Sequence, residues 1–284
     1  MPIKFAALDK SLSDILNGKE KYKIPRYQRP YSWTTDEVSD LWNDLIEEES
    51  AFLGSFVFNY EKYNEENFVE VIDGQQRLIT LTVLMAVLRD FYKELGENRK
   101  FNKTQEIIAH THPVTLKEDY RLKCSDTLND FFKKNIQKEN VDILTAIAKS
   151  PEQKRVKENY KFLKEKINDE LSTLSGKLKQ IEYLDNLKQK IFDFKIIWIK
   201  IENDDDAYSI FETVNARGAD LTVADLLKNY LFSRLPKKEK EVDTAQEKWS
   251  TIENNVDTAK GSLNVSKFIR YYWLSKYSFV SEKR

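Results

Sequence analysis

Between Asn67 and Leu95 the hydrophobic period changes once, and that change restricts the fold more than any other feature of the sequence. Asn67–Ile72 alternates as a strand does, Asp73-Gly74-Gln75-Gln76 is a polar turn, and Arg77–Leu95 turns helical with Leu78, Leu81, Leu84, Met85 and Leu88 on a core-facing side. Gly96 suits the position just past the helix end. The order is strand, polar turn, long buried helix. Phe52–Asn59, joined to Asn67–Ile72 by the polar Glu61–Glu66 stretch, supplies a hairpin partner.

The rest of the chain is mostly helical. Ser11–Asn17 reads as a short helix, and Tyr22–Pro25 as extended chain, because a residue before proline avoids the helical region. Thr34 or Thr35 caps a helix whose Val38, Leu41, Trp42, Leu45 and Ile46 follow i, i+3, i+4, i+7, i+8. Residues 102–187 read as helices joined by polar loops, with Tyr160, Leu163, Ile167 and Leu171 on one face. Phe192–Ile201 reads as a well-buried strand, followed by a helix start at Asp204–Asp206 and a helix over Ala207–Val214. Thr222 caps a helix running to Leu235, and Asp243–Glu253 and Ser262–Lys276 are helical. The expected class is α+β, mostly helical. His110-Thr111-His112 reads as a surface loop, since no acidic or Cys partners lie nearby.

Composition excludes several functions. Among 284 residues, 46 basic and 47 acidic side chains nearly cancel, so a nucleic-acid contact must come from a local patch. One Cys (Cys124) forms no internal disulfide and suits a reducing cytoplasm. One Cys and two His build no closed zinc site of the Cys/His type and argue against an HNH-type nuclease centre in this chain. The seven glycines are not spaced as a Rossmann fingerprint or a P-loop. No apolar run reaches the length of a membrane span, and Met1–Lys10 has no signal-peptide core, so the expectation is a cytoplasmic protein without a membrane partner.

Three segments are polar where a fold alone needs nothing special. Ile24–Trp33 packs two Arg, one Gln and three aromatics into ten residues, and Lys4–Arg29 carries seven basic and three acidic groups. Arg26, Gln28 and Arg29 suit phosphate or base edges, and Tyr27 and Tyr31 suit stacking. For Tyr31 and Trp33 a second reading stands beside that one, in which the rings plug the core of a proline-stiffened loop. At Asp73-Gly74-Gln75-Gln76-Arg77, Gly74 permits a tight turn, the following helix start favours an anion, Arg77 offers a donor fork, and Asp73 suits a metal ion or a water. An ordinary Asp-Gly turn fits the same residues. Asn215-Ala216-Arg217-Gly218, with Asp225 and Lys228 beyond it, offers Arg217 as a second phosphate ligand or a plain helix–turn–helix.

Together these segments resemble the GmrSD-type restriction family. Arg26-Tyr27-Gln28-Arg29-Pro30-Tyr31-Ser32-Trp33 is similar to its R-x-Y-Q-R-x-Y-x-W opening. Phe52-Leu53-Gly54-Ser55, then Val71-Ile72-Asp73-Gly74-Gln75-Gln76-Arg77-Leu78, is similar to its F-L-G-S and I-D-G-Q-Q-R-L motifs. Phe211–Gly218, Leu221-Thr222 and Asp225–Asn229 resemble its F-E-x-x-N-x-R-G-x-x-L-T-x-x-D-L-L-K-N segment. The matches run in order from about residue 8 to 235.

The resemblance implies an N-terminal domain related to the ParB/sulfiredoxin fold: a small mixed sheet with a helical extension. It implies binding and hydrolysis of a nucleoside triphosphate with Mg²⁺, and control of an HNH-type nuclease that cuts modified phage DNA. The alternative is a sensor of modified bases or phosphorothioate without its own catalysis. Asp73, Gln75, Gln76 and Arg77 are the expected catalytic group, with Asp73 on Mg²⁺. Gly74, Arg77, Arg29, Asn215, Arg217 and Lys228 are the expected nucleotide ligands, and Arg26, Tyr27, Gln28, Arg29 and Tyr31 the expected DNA contacts. Residues 1–100 form the expected core, joined by returning segments in 191–235, with 101–190 a helical insertion and 236–284 a C-terminal helical region cut short before a nuclease domain. The nuclease belongs to a further domain or a separate subunit, and a homodimer is the expected assembly.

Overall fold

The computed structural model describes residues 5–18, 20–47, 52–61, 63, 68–111, 118–202, 224, 227–228, 231, 244–258 and 264–277. The structure is α+β and mostly helical. A mixed sheet of six strands runs in the order β1 (Phe5–Ser11), β8 (Lys195–Ile201), β3 (Phe52–Asn59), β4 (Val69–Asp73), β2 (Tyr22–Lys23), β7 (Leu122–Lys123). β3 pairs antiparallel with β4 and parallel with β8; β1 closes one edge antiparallel to β8, with Leu8 opposite Trp198. A separate pair, β5 (Ala109–Thr111) and β6 (Glu118–Tyr120), forms a two-stranded sheet.

Local chemistry sets the helix ends. α1 (Leu12–Leu16) starts at Ser11, whose backbone N–H donates to Asp14 Oδ2 at 3.0 Å. α2 (Thr35–Glu47) starts at Thr34, where Glu37 Oε2 accepts from both the N–H and the hydroxyl of Thr34 at 2.7 Å. The expected Val38, Leu41, Trp42 and Leu45 stripe is buried. α3 (Gln75–Glu94) is buried on nearly every side, from Leu78 to Phe91. Its internal Thr80 and Thr82 hydroxyls donate to the carbonyls of Gln76 and Leu78, so burial leaves them satisfied. Around it pack α4 (Asn98–Ile108), α6 (Pro151–Thr173) and α7 (Lys177–Asp193), while α5 (Asp126–Phe132) leads through a π-helical turn at Lys133–Gln137. One apolar cluster joins these helices to Phe56, Phe58, Ile196 and Trp198 of the sheet, with the Phe58 and Trp198 rings 4.6 Å apart.

The structure corrects several local expectations. Phe5–Ser11 is a strand, although its sequence does not alternate; pairing with β8 supplies the order. Residues 101–190 are not helices alone, because β5, β6 and β7 lie within them. His110 and Thr111 belong to β5 rather than to a loop, and His112 lies outside the described residues. β8 is half-buried, with Ile197 40% exposed on the face away from Trp198. The expected elements between 203 and 223 lie outside the described residues; residues 224, 227, 228 and 231 are helical.

The chain divides into two compact units, one of Met1–Pro25 and Pro30–Ser209, the other of Arg26–Arg29 and Ile210–Arg284. The 101–190 region belongs to the same unit as the sheet. The second unit holds α8 (Thr244–Thr258) and α9 (Val265–Lys276), with Ala224 and Trp249 as its buried nucleus and Tyr27, Ala245, Val265 and Ile269 packed on it. Among the described residues no helix is long and apolar enough to cross a membrane.

Candidate functional site

The Asp73–Arg77 motif sits where β4 ends and α3 begins, and two glycines make that junction possible. Gly74 has φ +89°, the left-handed region, and a Cβ there would meet the Phe56 ring at 2.5 Å. The room that glycine leaves is thus filled by Phe56. Gly54 on β3 has φ +94°, and a Cβ there would collide with Arg77 Nη1.

Arg77 fills that second gap. Its Nη1 donates to Leu53 O at 2.5 Å, and its Nη2 donates to Ser55 O at 2.7 Å and Asp73 Oδ2 at 3.3 Å, while the guanidinium carbon lies 4.8 Å from the centre of the Phe56 ring. One guanidinium therefore ties β3 on both sides of Gly54 to the start of α3. Three of its five N–H groups are engaged this way. Burial pulls the Arg77 pKa below its usual value, and the Asp73 carboxylate opposes that pull. Asp73 itself keeps a side chain 21% exposed.

Gln76 is committed as well. Its Nε2 donates to Pro30 O at 3.1 Å and its Oε1 accepts from Ser32 N at 2.9 Å, so the side chain pairs with the backbone as a neighbouring strand would. The same segment is held from α6. Tyr31 N donates to Glu152 Oε1 at 2.9 Å, Arg155 Nη1 donates to Tyr31 O at 3.2 Å, and Asn159 Nδ2 donates to Trp33 O at 2.9 Å. Glu152 is buried and also accepts the hydroxyls of Ser125 and Thr127. Pro30–Trp33, which lies in no helix or strand, is thus clamped by side chains of two helices.

Tyr31 lies at the centre of that clamp with 1% of its surface exposed. Asn159 Nδ2 donates to its hydroxyl at 2.9 Å, and the hydroxyl is 2.7 Å from Thr80 Oγ1. Thr80 donates its own proton to Gln76 O, so Tyr31 is the donor to Thr80. The chain of donors runs Asn159, Tyr31, Thr80, Gln76. Burial pushes the Tyr31 pKa up to about 12, against the lowering effect of the bonds to Thr80 and Asn159. A ring so enclosed does not stack on a base: of the two readings open for Tyr31, the core plug is the one found. Trp33 is partly buried against the same core.

The other expected site residues separate into two groups. Asp73, Gly74, Gln75, Gln76 and Arg77 come together at the junction, with Gln75 and Gln76 both buried. Arg26, Tyr27, Gln28 and Arg29 cluster with the second unit, Gln28 buried and Tyr27 against the Ala224–Trp249 nucleus. Lys228 in that unit is only 4% exposed and lies 3.3 Å from Glu253 Oε1, which also accepts from Trp249 Nε1 at 2.7 Å. Its ammonium is therefore paired inside the fold. Asn215, Arg217, Gly218 and Asp225 lie outside the described residues.

Reading motifs alone missed Thr80, Glu152, Arg155 and Asn159. Asn159 carried a signal: it sits three residues after Val156 and four before Leu163, a polar residue on an apolar stripe. Among the described residues no group of three His, Cys, Asp or Glu side chains is placed to hold a metal ion. Asp73 is a single carboxylate beside a helix start whose N-cap residue, Gly74, has no side chain to cap it.

The family described as "GmrSD restriction endonuclease, N-terminal domain" matches residues 12–232. No curated protein matches the chain.

Proposed function

The chain belongs to the GmrSD restriction-endonuclease family through its N-terminal domain and is a component of a type IV restriction system, and from that membership we propose that it binds and hydrolyses a nucleoside triphosphate to control an HNH-type nuclease. One observation carries the reading. The α3 N-terminus has a glycine in place of a capping side chain, and a partly exposed carboxylate, Asp73, stands immediately before it. The positive end of the helix dipole favours a phosphate.

Mg²⁺ bound through substrate phosphates needs only one or two protein carboxylates, so Asp73 meets the requirement alone. The ion would neutralise charge on the phosphates. Asp73 then holds the ion or orients the attacking water. Arg77 and Gln76 act chiefly as positioning residues: Arg77 fixes the turn against β3, and Gln76 fixes Pro30–Ser32 beside it. Arg29, Asn215, Arg217 and Lys228 stand as further candidate phosphate or sugar ligands.

The test is phosphate release with each of the four nucleoside triphosphates and Mg²⁺. Asp73→Ala is expected to lower turnover about 100-fold or more, as loss of a positioned acid or base does. Its thermal unfolding should change little. Full turnover by Asp73→Ala would remove the residue from the mechanism. Arg77→Ala does not discriminate, because it also breaks three hydrogen bonds that hold the turn.

A second reading, sensing of modified DNA without catalysis, has its own support. Arg26, Tyr27, Gln28 and Arg29 cluster in a different unit from Asp73 and Arg77. Equal affinity for modified and unmodified duplexes across a salt series would remove it.

A further inference from the structure

The C-terminal helix of the second unit carries a surface unlike the rest of the molecule. Within ten residues α9 and its end present Phe268, Tyr271, Tyr272, Trp273 and Tyr277, all between 37% and 61% exposed. Large rings held in water are costly unless something covers them in use. Val265 and Ile269 pack on the Ala224–Trp249 nucleus, and Ser266 Oγ accepts from Ala224 N at 3.1 Å. The large exposed hydrophobic side chains here are all aromatic, and four of the five carry a polar atom on the ring. The Trp273 and Tyr277 rings lie 4.5 Å apart, tilted by 37°, at the helix end.

Charge indicates what such a surface fits. α9 carries Lys267, Arg270 and Lys276 and no acidic residue. Around it the sequence from Thr258 to Ser281 holds four basic groups and no Asp or Glu, in a chain where acids are 47 of 284 residues. Protein-docking cores are depleted in Lys, and membrane-surface helices keep their cations on one face and Trp, Phe and Leu on the other, whereas around α9 Lys267, Arg270 and Lys276 alternate with the rings. Aromatic rings interleaved with cations instead match the bases and phosphates of a polynucleotide strand. Tyr27 packs on the same nucleus as α9, so the basic Arg26–Arg29 segment belongs to the same unit.

The geometry points to α9 as a polynucleotide-binding surface, with Tyr271, Tyr272 and Trp273 stacking on unpaired bases and Lys267 and Lys276 meeting phosphates. This goes beyond the nucleotide reading and does not depend on it. It rests on the DNA-sensing reading only for the class of ligand, and it places the contact on a different element.

The experiment measures anisotropy of a fluorescein-labelled oligonucleotide, single-stranded or duplex, with the whole chain over a salt series. Replacing Tyr271 and Trp273 together by Ser is expected to weaken single-strand binding at least about tenfold, while Tyr271→Phe, which keeps the ring, preserves it. Lys267→Gln with Lys276→Gln should lower the salt slope by about 0.7 for each phosphate no longer neutralised. Circular dichroism and the elution volume of each variant confirm an intact fold. Unchanged binding by the Tyr271/Trp273 variant overturns the proposal. So does a change of oligomeric state alone, which would make the surface a self-contact, or loss of anionic-vesicle binding alone, which would make it a membrane contact. If Arg26→Ala with Arg29→Ala abolishes binding and the α9 variants do not, α9 falls and the sensing reading stands. No oligonucleotide binding by the unaltered chain removes both.

Discussion

Gly54, Gly74 and Arg77 act together as a single device, built one side chain at a time. Two residues of positive φ clear the space that a guanidinium and a phenyl ring then occupy. Gly74→Ala is therefore expected to lose at least about 1–2 kcal/mol from its backbone alone, before any clash with Phe56 is counted. Urea unfolding measures it; a variant as stable as the parent would show that Phe56 and the turn yield freely. Tyr31 makes a second prediction through pH. Its pKa in the fold is about 12 against an ordinary 10.0, so the folded chain holds the proton that the unfolded chain gives up first. The stabilisation is complete below pH 10 and is lost as pH climbs to about 12. Tyr31→Phe lacks this contribution, so the stability gap between parent and variant should narrow across that window. A constant gap in unfolding midpoints would contradict the burial of the hydroxyl.

The clamp on Pro30–Trp33 is a matter of how whole elements meet. A segment without a strand partner still needs its backbone groups satisfied. Here Gln76 of α3 and Glu152, Arg155 and Asn159 of α6 take the part that a neighbouring strand plays elsewhere. Asn159→Ala removes the bonds to Trp33 O and Tyr31 Oη, and Glu152→Gln weakens the one on Tyr31 N. Both are expected to speed amide exchange at Tyr31 and Ser32 while leaving the β3 and β8 amides protected. Equal acceleration in the sheet would mean global destabilisation rather than local release. The periodicity of α2 and α6 was legible because each buries one recurring set of apolar positions, and α3, buried on nearly every side, was legible from its long apolar run. β1, β5, β6 and β7 were not, since short strands draw their order from hydrogen bonds to distant residues.

Across the full chain the division into two units governs what can be expected. Asp73 and Arg77 lie in one and Arg26–Arg29 and α9 in the other. If nucleotide and polynucleotide are handled separately, Asp73→Ala should suppress turnover and leave oligonucleotide affinity unchanged in the absence of nucleotide. A nucleotide-dependent change in that affinity would measure the coupling between the tasks, and reciprocity requires the oligonucleotide to alter nucleotide affinity by the same factor. Loss of oligonucleotide binding in nucleotide-free Asp73→Ala would instead place both ligands at the strand–helix junction.

The order of residues was enough to define the long buried helix, the strand–turn–helix junction and the family, because each depends on side chains near one another along the chain. It also placed Asp73–Arg77 at an element boundary, where polar residues are tolerated. Which of those polar groups remain available was settled in three dimensions. Arg77 and Gln76 find backbone partners more than twenty and forty residues away, and Tyr31 finds Asn159 across an even longer gap. Such partners satisfy buried donors and acceptors at a distance that no local pattern records, and they turn residues read as ligands into the frame that holds the site.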